Sequence, residues 1–305
     1  MSRILVIRLG ALGDFVLSFG PFAAIRARHA RDEITLLTTA PFASLARRAP
    51  WFDRVEVDAR PSWWNLPGLA RLRHQLAGFD MVYDLQTSGR SSWYFLPAGR
   101  PSWSGIARGC SHPHANPRRD FMHTLERQRE QLEAAGVTAF PRPELGWLTR
   151  KPALDLPERF ALLVPGAAPS RPRKRWPAEC YGAVAAGVAE AGLVPVVVGT
   201  AAEAPLAATI RASCPAALDL TGGTTIADIA GLAARAVLAV GNDTGPMHLA
   251  AAVGCRCVVL FSADSDPVLT APRGPDGAWP VVLRAPDLAD LPAGEVIQAV
   301  ASLLS

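Results

Sequence analysis

Val237-Leu238-Ala239-Val240-Gly241-Asn242-Asp243-Thr244-Gly245-Pro246-Met247-His248 begins with four apolar residues, turns on two glycines and runs straight into Leu249-Ala250-Ala251-Ala252. A short apolar run, a glycine turn and a series of helix formers predict a buried strand that delivers into a helix. The first N–H groups of such a helix have no intrahelical partner, and the helix dipole adds partial positive charge, so Thr244 and Gly245 are expected to form an anion site. Pro246 suits the first turn, where its missing N–H costs nothing. Thr244 either caps the helix or offers a hydroxyl to phosphate. Asp243 is an unusual neighbour for a phosphate unless it orients sugar hydroxyls, and His248, one turn into the helix, is within reach of the same ligand.

The same pattern extends outward in both directions. Strands are expected at Ile4–Leu9, Glu33–Thr39, Arg54–Asp58 and Met81–Gln86, with the clearest helices at Phe15–His29 and Asp120–Gly136. After the proline-punctuated stretch Pro141–Pro157, which reads as a linker, the series resumes. Its strands are Phe160–Pro165, Leu193–Val198, Val237–Gly241, Cys257–Phe261 and Val281–Arg284, and its helices Ala178–Ala191, Ile226–Arg235, Pro246–Val253 and Ala293–Leu304. Alternation of this kind predicts an α/β protein with two Rossmann-like doubly wound domains, residues 1–150 and 151–305, facing each other across a cleft. Ligands are then expected on the loops beyond the carboxyl ends of the strands.

Composition agrees with that class. The 305 residues are 50% hydrophobic and 19% charged, enough apolar material for two cores and inconsistent with disorder. Five cysteines form no C-x-x-C pair and no even framework, and no secretory signal or membrane span is read near Met1, so a reducing cytoplasm is the expected location. Residues 1–150 hold 20 Lys+Arg against 13 Asp+Glu, so this half is expected to face an anionic partner. Nucleic acid is not among the expected partners.

Two further strand-to-helix turns carry chemistry. Arg171-Pro172-Arg173-Lys174-Arg175 places four basic residues in five positions, suited to neutralising a diphosphate leaving group as its charge grows. Lys174, one of only two lysines in the chain, is the first choice of stabiliser, as a compact point charge on phosphate. Arg8-Leu9-Gly10-Ala11-Leu12-Gly13-Asp14 lacks the G-x-G-x-x-G of a dinucleotide site, which argues against redox chemistry. Asp14 is either a helix cap or a general base that takes a proton from an acceptor hydroxyl. Glu203 follows a strand and is placed to accept ribose hydroxyls or merely to start a helix. Cys110-Ser111-His112-Pro113-His114 lacks further partners at metal-ligand spacing, so no metal site is expected. Trp63, Trp64, Trp93 and Trp103 with Arg100, Arg108, Arg118 and Arg119 read either as ordinary packing or as a basic, aromatic surface for an amphipathic acceptor.

Taken together, Arg8 to Asp14, Lys174-Arg175-Trp176-Pro177 and Gly241 to His248 resemble the lipopolysaccharide heptosyltransferases of glycosyltransferase family 9. The resemblance also takes in Asp84-Leu85-Gln86, His123-Thr124-Leu125-Glu126-Arg127 and Phe261 to Pro267. It implies the GT-B architecture, with an N-terminal acceptor domain and a C-terminal nucleotide-sugar domain. The implied reaction is inverting, metal-independent transfer of heptose from ADP-heptose to a lipopolysaccharide core acceptor, with no cofactor. By this resemblance Asp14 matches the catalytic base, Lys174 and Glu203 match donor contacts, and Asp243, Thr244, Gly245, Pro246 and His248 fall in the donor motif. Pro246 stands where some members carry leucine, Gly10-Ala11 where some carry two serines, and Ser262-Ala263-Asp264 departs from the commoner Gly-Pro-Thr or Gly-Pro-Ser. Arg118 and Arg119 are the candidates for contact with an anionic glycolipid acceptor, with peripheral contact at the cytoplasmic face of the inner membrane. Two rival readings remain: a GT-B transferase using another nucleotide sugar for another cell-envelope glycan, and a catalytically silent sugar-nucleotide binding protein.

Overall fold

Apolar, β-branched runs of four to six residues alternate with helices in both halves of the chain, and each half folds as its own unit, Met1–Trp147 and Leu148–Ser305. The computed structural model describes residues 1–149, 152, 154 and 156–305. Within the stretch expected to be a linker, Arg150, Lys151, Ala153 and Asp155 therefore lie outside the described residues, and none of its described residues is in a helix or strand.

The first unit contains β1 (Arg3–Ile7), β2 (Glu33–Thr38), β3 (Arg54–Val57), β4 (Met81–Asp84), β5 (Ser102–Gly105) and β6 (His112–Pro113). All pair in parallel in the order β3-β2-β1-β4-β5-β6. The second unit contains β7 (Phe160–Val164), β8 (Val194–Val197), β9 (Leu218–Asp219), β10 (Leu238–Asn242), β11 (Cys257–Phe261) and β12 (Val281–Arg284), in the parallel order β12-β11-β10-β7-β8-β9. Counted within its own unit, each sheet has the order 3-2-1-4-5-6, the doubly wound arrangement of dinucleotide-binding folds. Its first and fourth strands are neighbours whose connections leave in opposite directions, which opens a crevice at their carboxyl ends. In the first unit that point lies between β1 and β4, and in the second between β7 and β10.

The central strands are buried on both faces, which is why they read as continuous apolar runs. On β7, Ala161 and Leu163 join a core layer with Tyr181, Val184 and Val188 of the helix Ala178–Glu190 and with Val296 and Val300 of the helix Ala293–Leu304. Phe160, Leu162 and Val164 face the other layer, with Leu232 and Ala233 of the helix Ile226–Ala233 and Met247, Ala250 and Ala251 of the helix Gly245–Ala252. Each large side chain buried this way is worth about 1.5–3 kcal/mol.

Several elements differ from the sequence expectation. The helix expected over Phe15–His29 is two helices, Leu12–Leu17 and Phe19–Arg28, joined at Ser18. Pro21 has no N–H for the Leu17 carbonyl, so the hydrogen-bond ladder breaks there, and the Ser18 hydroxyl donates back to the Asp14 carbonyl at 2.9 Å. The helix expected from Asp120 starts at Thr124, with the His123 ring accepting from the Leu125 N–H at 3.2 Å; Asp120 sits in the preceding 3-10 turn Arg119–Phe121. Strands β5, β6 and β9 are not among the expected strands, and the helices Leu66–Leu76, between two expected strands, and Ala204–Ser213, which follows Glu203, had no expected bounds. Trp103, read as part of an aromatic surface, is fully buried on β5 and is core.

Candidate active site

In the second unit, the loops after β7 and β10 bring the basic and acidic motifs together. Lys174 Nζ donates to Asp243 Oδ2 at 2.5 Å, and both residues are buried. Ser265 Oγ donates to the same oxygen at 2.7 Å, while His248 Nε2 lies 3.6 Å from Asp243 Oδ1. His248 Nδ1 is buried with no hydrogen-bond partner among the described residues. Burial disfavours the Asp243 carboxylate, but the nearby His248 ring and the hydrogen bond and charge of Lys174 outweigh it and hold its pKa at about 2. Asp243 is therefore the ionised centre of a cluster that fixes Lys174 and His248. Arg171, Arg173 and Arg175 remain exposed around it, so Lys174 is the one member of the basic run that the fold buries.

Asn242, which sequence reasoning passed over, ties the two loops to each other. Its Nδ2 donates to the carbonyls of Pro165 at 2.8 Å and Gly166 at 3.3 Å. Its Oδ1 accepts from the Tyr181 hydroxyl at 3.0 Å and the Trp176 N–H at 3.4 Å. All four hydrogen-bonding positions of the side-chain amide are used, as a fully buried amide requires. A single buried amide just before the expected acid was the only available signal.

Thr244 takes the N-cap position of the helix Gly245–Ala252 but does not cap it; its hydroxyl donates to the Asn242 carbonyl at 3.1 Å. The Gly245 N–H heads the helix, and Pro246 occupies the first turn as expected. Glu203 belongs to the loop after β8. Its Oε2 accepts from the Thr200 N–H at 2.6 Å and hydroxyl at 3.2 Å, so the helix-start reading holds for one oxygen. Its carboxylate also lies against two glycines: a Cβ on Gly166 would come within 1.7 Å of Oε1, and one on Gly199 within 2.6 Å of Oε2. Only glycine leaves room for the acid at these two strand ends.

In the first unit, Asp14 lies in the first turn after β1, where Oδ2 accepts from the Ala11 N–H at 3.3 Å. Its Oδ1 stands 3.2 Å from the guanidinium of Arg8, and the Asp14 side chain is 39% exposed against 3% for Arg8. Arg8 also donates to the carbonyls of Leu85 at 2.5 Å and Asp14 at 2.9 Å. From the loop after β4, Gln86 Oε1 accepts the Leu9 N–H at 2.8 Å, and Asp84 Oδ1 accepts the N–H groups of Gln86 and Thr87 at 3.1 and 3.0 Å. Asp84 is fully buried with Oδ2 unpartnered among the described residues, and burial raises its pKa to about 6 against the pull of those N–H groups and of Arg8. The two loops at this unit's switch point are thus locked around Arg8, which in turn holds Asp14.

Arg119 is half-buried against His114 at 3.4 Å and Asp120 at 3.1 Å, whereas Arg118 is exposed. Burial and the like charge of Arg119 lower the pKa of Arg127, while Asp14 and Asp120 oppose the shift. Among the described residues, neither expected arginine has a hydrogen bond or ion pair to the Asp14–Arg8 pair. An open hollow of about 650 Å³ beside Asp14's loop is lined by Leu9, Gly10, Phe42, Asp58 and Arg60. Arg60 was not singled out from the sequence; it donates to the Leu9 carbonyl at 3.3 Å. Cys110 and His114 are buried, and no group of three metal-ligating side chains occurs among the described residues.

Residues 69–279 match the family model described as glycosyltransferase family 9 (heptosyltransferase). The chain belongs to glycosyltransferase family 9. This family 9 chain is 33% identical over 303 residues to lipooligosaccharide heptosyltransferase 2 of Haemophilus influenzae, covering 88% of this chain and 86% of that protein. Among solved structures, a family 9 glycosyl transferase from Veillonella parvula superposes with a TM-score of 0.82 at 22% identity, over 99% of this chain and 97% of that one. Escherichia coli heptosyltransferase WaaC, solved with ADP, superposes with a TM-score of 0.79 at 21% identity, over 99% of each chain. These likenesses give the family 9 chain the GT-B fold and make it a glycosyltransferase. Among the described residues, no helix is long and apolar enough to cross a membrane.

Proposed function

We propose that this glycosyltransferase moves heptose from ADP-heptose to a lipopolysaccharide core acceptor, with inversion and without a metal ion. The observation that carries the reading is the Lys174–Asp243–His248 cluster beside the Gly245 helix start. A buried ammonium keeps two of its three donors after binding Asp243, and together with the Gly245 N–H it provides positive charge for a departing diphosphate, which is the role a divalent cation fills elsewhere. The second unit is then the donor domain, with Thr244, Gly245 and Pro246 at the phosphates and Asp243 and His248 toward the sugar. Glu203 Oε1, which accepts no hydrogen bond among the described residues, faces the ribose hydroxyls.

The first unit is the acceptor domain, where Asp14 is the base. The acceptor oxygen attacks the anomeric carbon as the bond to the ADP oxygen breaks, and that bonding pair leaves with the diphosphate. Asp14 takes the hydroxyl proton. Arg8 holds the Asp14 carboxylate in place at 3.2 Å, and the proton moves late, once the new C–O bond has made the hydroxyl acidic. A single displacement of this kind inverts the anomeric centre. Arg118 and Arg119 face the anionic acceptor, and the protein works in the cytoplasm, in peripheral contact with the inner membrane.

Calorimetric titration with ADP, UDP and GDP, followed by product analysis with ADP-heptose and a heptose-free core acceptor, tests the proposal. Preference for ADP and a single inverted glycosidic product are expected. Equal affinity for the three nucleotides would remove the donor assignment, and nucleotide-sugar binding without transfer to any acceptor would favour a silent binding protein.

A further inference from the structure

Trp63, Trp64 and Leu66 are 61%, 83% and 71% exposed, and Leu96 is 54% exposed, a concentration of large apolar side chains in solvent that no other part of the described chain matches. They are held in place by the fold. Trp63 packs edge-on against Trp93 at 4.7 Å, Arg90 donates to the Pro61 carbonyl at 2.9 Å, and Asn65 accepts from the Gly68 N–H at 3.0 Å to cap the helix that follows. Trp93 and Leu96 line one hollow with Arg100 and Arg108, so the apolar and basic groups share a surface.

The charge of the segment is one-sided. Residues 60–119 contain eight arginines and only two acids, Asp80 and Asp84. Asp84 is fully buried, and Asp80 accepts the Arg3 N–H at 2.8 Å. Indole rings and leucines standing out from a basic surface match the chemistry of a bilayer interface, where amphipathic rings settle at headgroup depth and arginines meet lipid phosphates.

We infer that this face, with Trp64 and Leu96 as its apolar contacts and Arg100 and Arg108 as its charged ones, docks on an anionic phospholipid bilayer. The inference refines the membrane contact proposed above by naming the surface that makes it.

The test is co-sedimentation of the full chain with phosphatidylcholine vesicles with and without phosphatidylglycerol, at low and high salt. Binding is expected only with phosphatidylglycerol and is weakened by salt. The exposed pair Trp64→Ser/Leu96→Ser should bind about tenfold more weakly or worse, as should Arg100→Gln/Arg108→Gln. Val268→Ser, which removes an exposed apolar group from the second unit, should bind as the parent does. Circular dichroism of each variant separates lost docking from lost folding. Absence of binding to phosphatidylglycerol vesicles, or undiminished binding by the Trp64/Leu96 variant, would overturn the inference. So would self-association that the same variant abolishes, which would assign the face to a second copy of the chain. No donor or acceptor enters the assay, so its result stands apart from the fate of the heptose reading.

Discussion

Lys174 Nζ and Asp243 Oδ2 lie 2.5 Å apart in a buried site, although 69 residues separate them in sequence. Neighbouring strands β7 and β10 end side by side, and their loops carry one partner each. A buried charge without its partner is costly, so Lys174→Met should destabilise the second unit by about 3–5 kcal/mol. Lys174→Met/Asp243→Asn should recover a large part of that loss, because neither group is then left charged and alone. Urea denaturation of the two single variants and the double variant measures the coupling. Additive losses would mean that the pair is not energetically linked.

The two perturbed carboxyls predict opposite dependences on pH. Asp243, held at about 2, contributes stability that is complete above its unfolded pKa of ~3.9 and is lost as pH falls through about 2. Asp84, raised to about 6, favours the folded state while protonated, so its contribution is complete below ~3.9 and is lost as pH rises through about 6. The loss at Asp84 amounts to roughly 3 kcal/mol for a shift of about two units. Melting curves from pH 4 to 7 should show the parent losing more stability than Asp84→Asn over that interval; parallel curves would contradict the shift.

Asp14→Asn keeps the size of the side chain and removes the base. Turnover should fall about 10²- to 10⁴-fold, the usual share of a positioned general base, while the donor dissociation constant stays within about twofold. ADP release under saturating donor, paired with calorimetry, reads both quantities.

Gly166→Ala puts a methyl group where the Glu203 carboxylate lies. Glu203 is the flexible partner, so folding should survive while the acid is turned out of its place. The expected result is weaker ADP binding, by about tenfold for one lost charged hydrogen bond, with an unchanged melting temperature. A large drop in melting temperature would instead make Gly166 a packing residue.

Transfer should continue undiminished in excess EDTA, since protein cations carry the diphosphate charge in the proposed site. A chelator-sensitive rate restored by magnesium would return that task to a metal ion.

The central strands were legible because both of their faces are buried, so Ile4–Ile7 and Cys257–Phe261 read as unbroken apolar runs. The edge elements were not: Ser102-Trp103-Ser104-Gly105 has the composition of a turn, and pairing with β4 and β6 makes it a strand. Lys174 was legible in one motif and Asp243 with His248 in another, because each motif runs from a strand through a turn into a helix. Their mutual contact was not, since it depends on the order β7 next to β10. Arg8 was quoted within a motif without its task, because a cation between two loops is recognised only when both loops are in place.

The Asn242 amide has a consequence for motion. With its hydrogen bonds spread over Pro165, Gly166, Trp176 and Tyr181, it welds the end of β10 to the basic loop after β7. Amide protons on the two segments should therefore exchange with deuterium at a common rate, as a single cooperative opening. A ligand that stiffens one segment would slow exchange in the other without touching it.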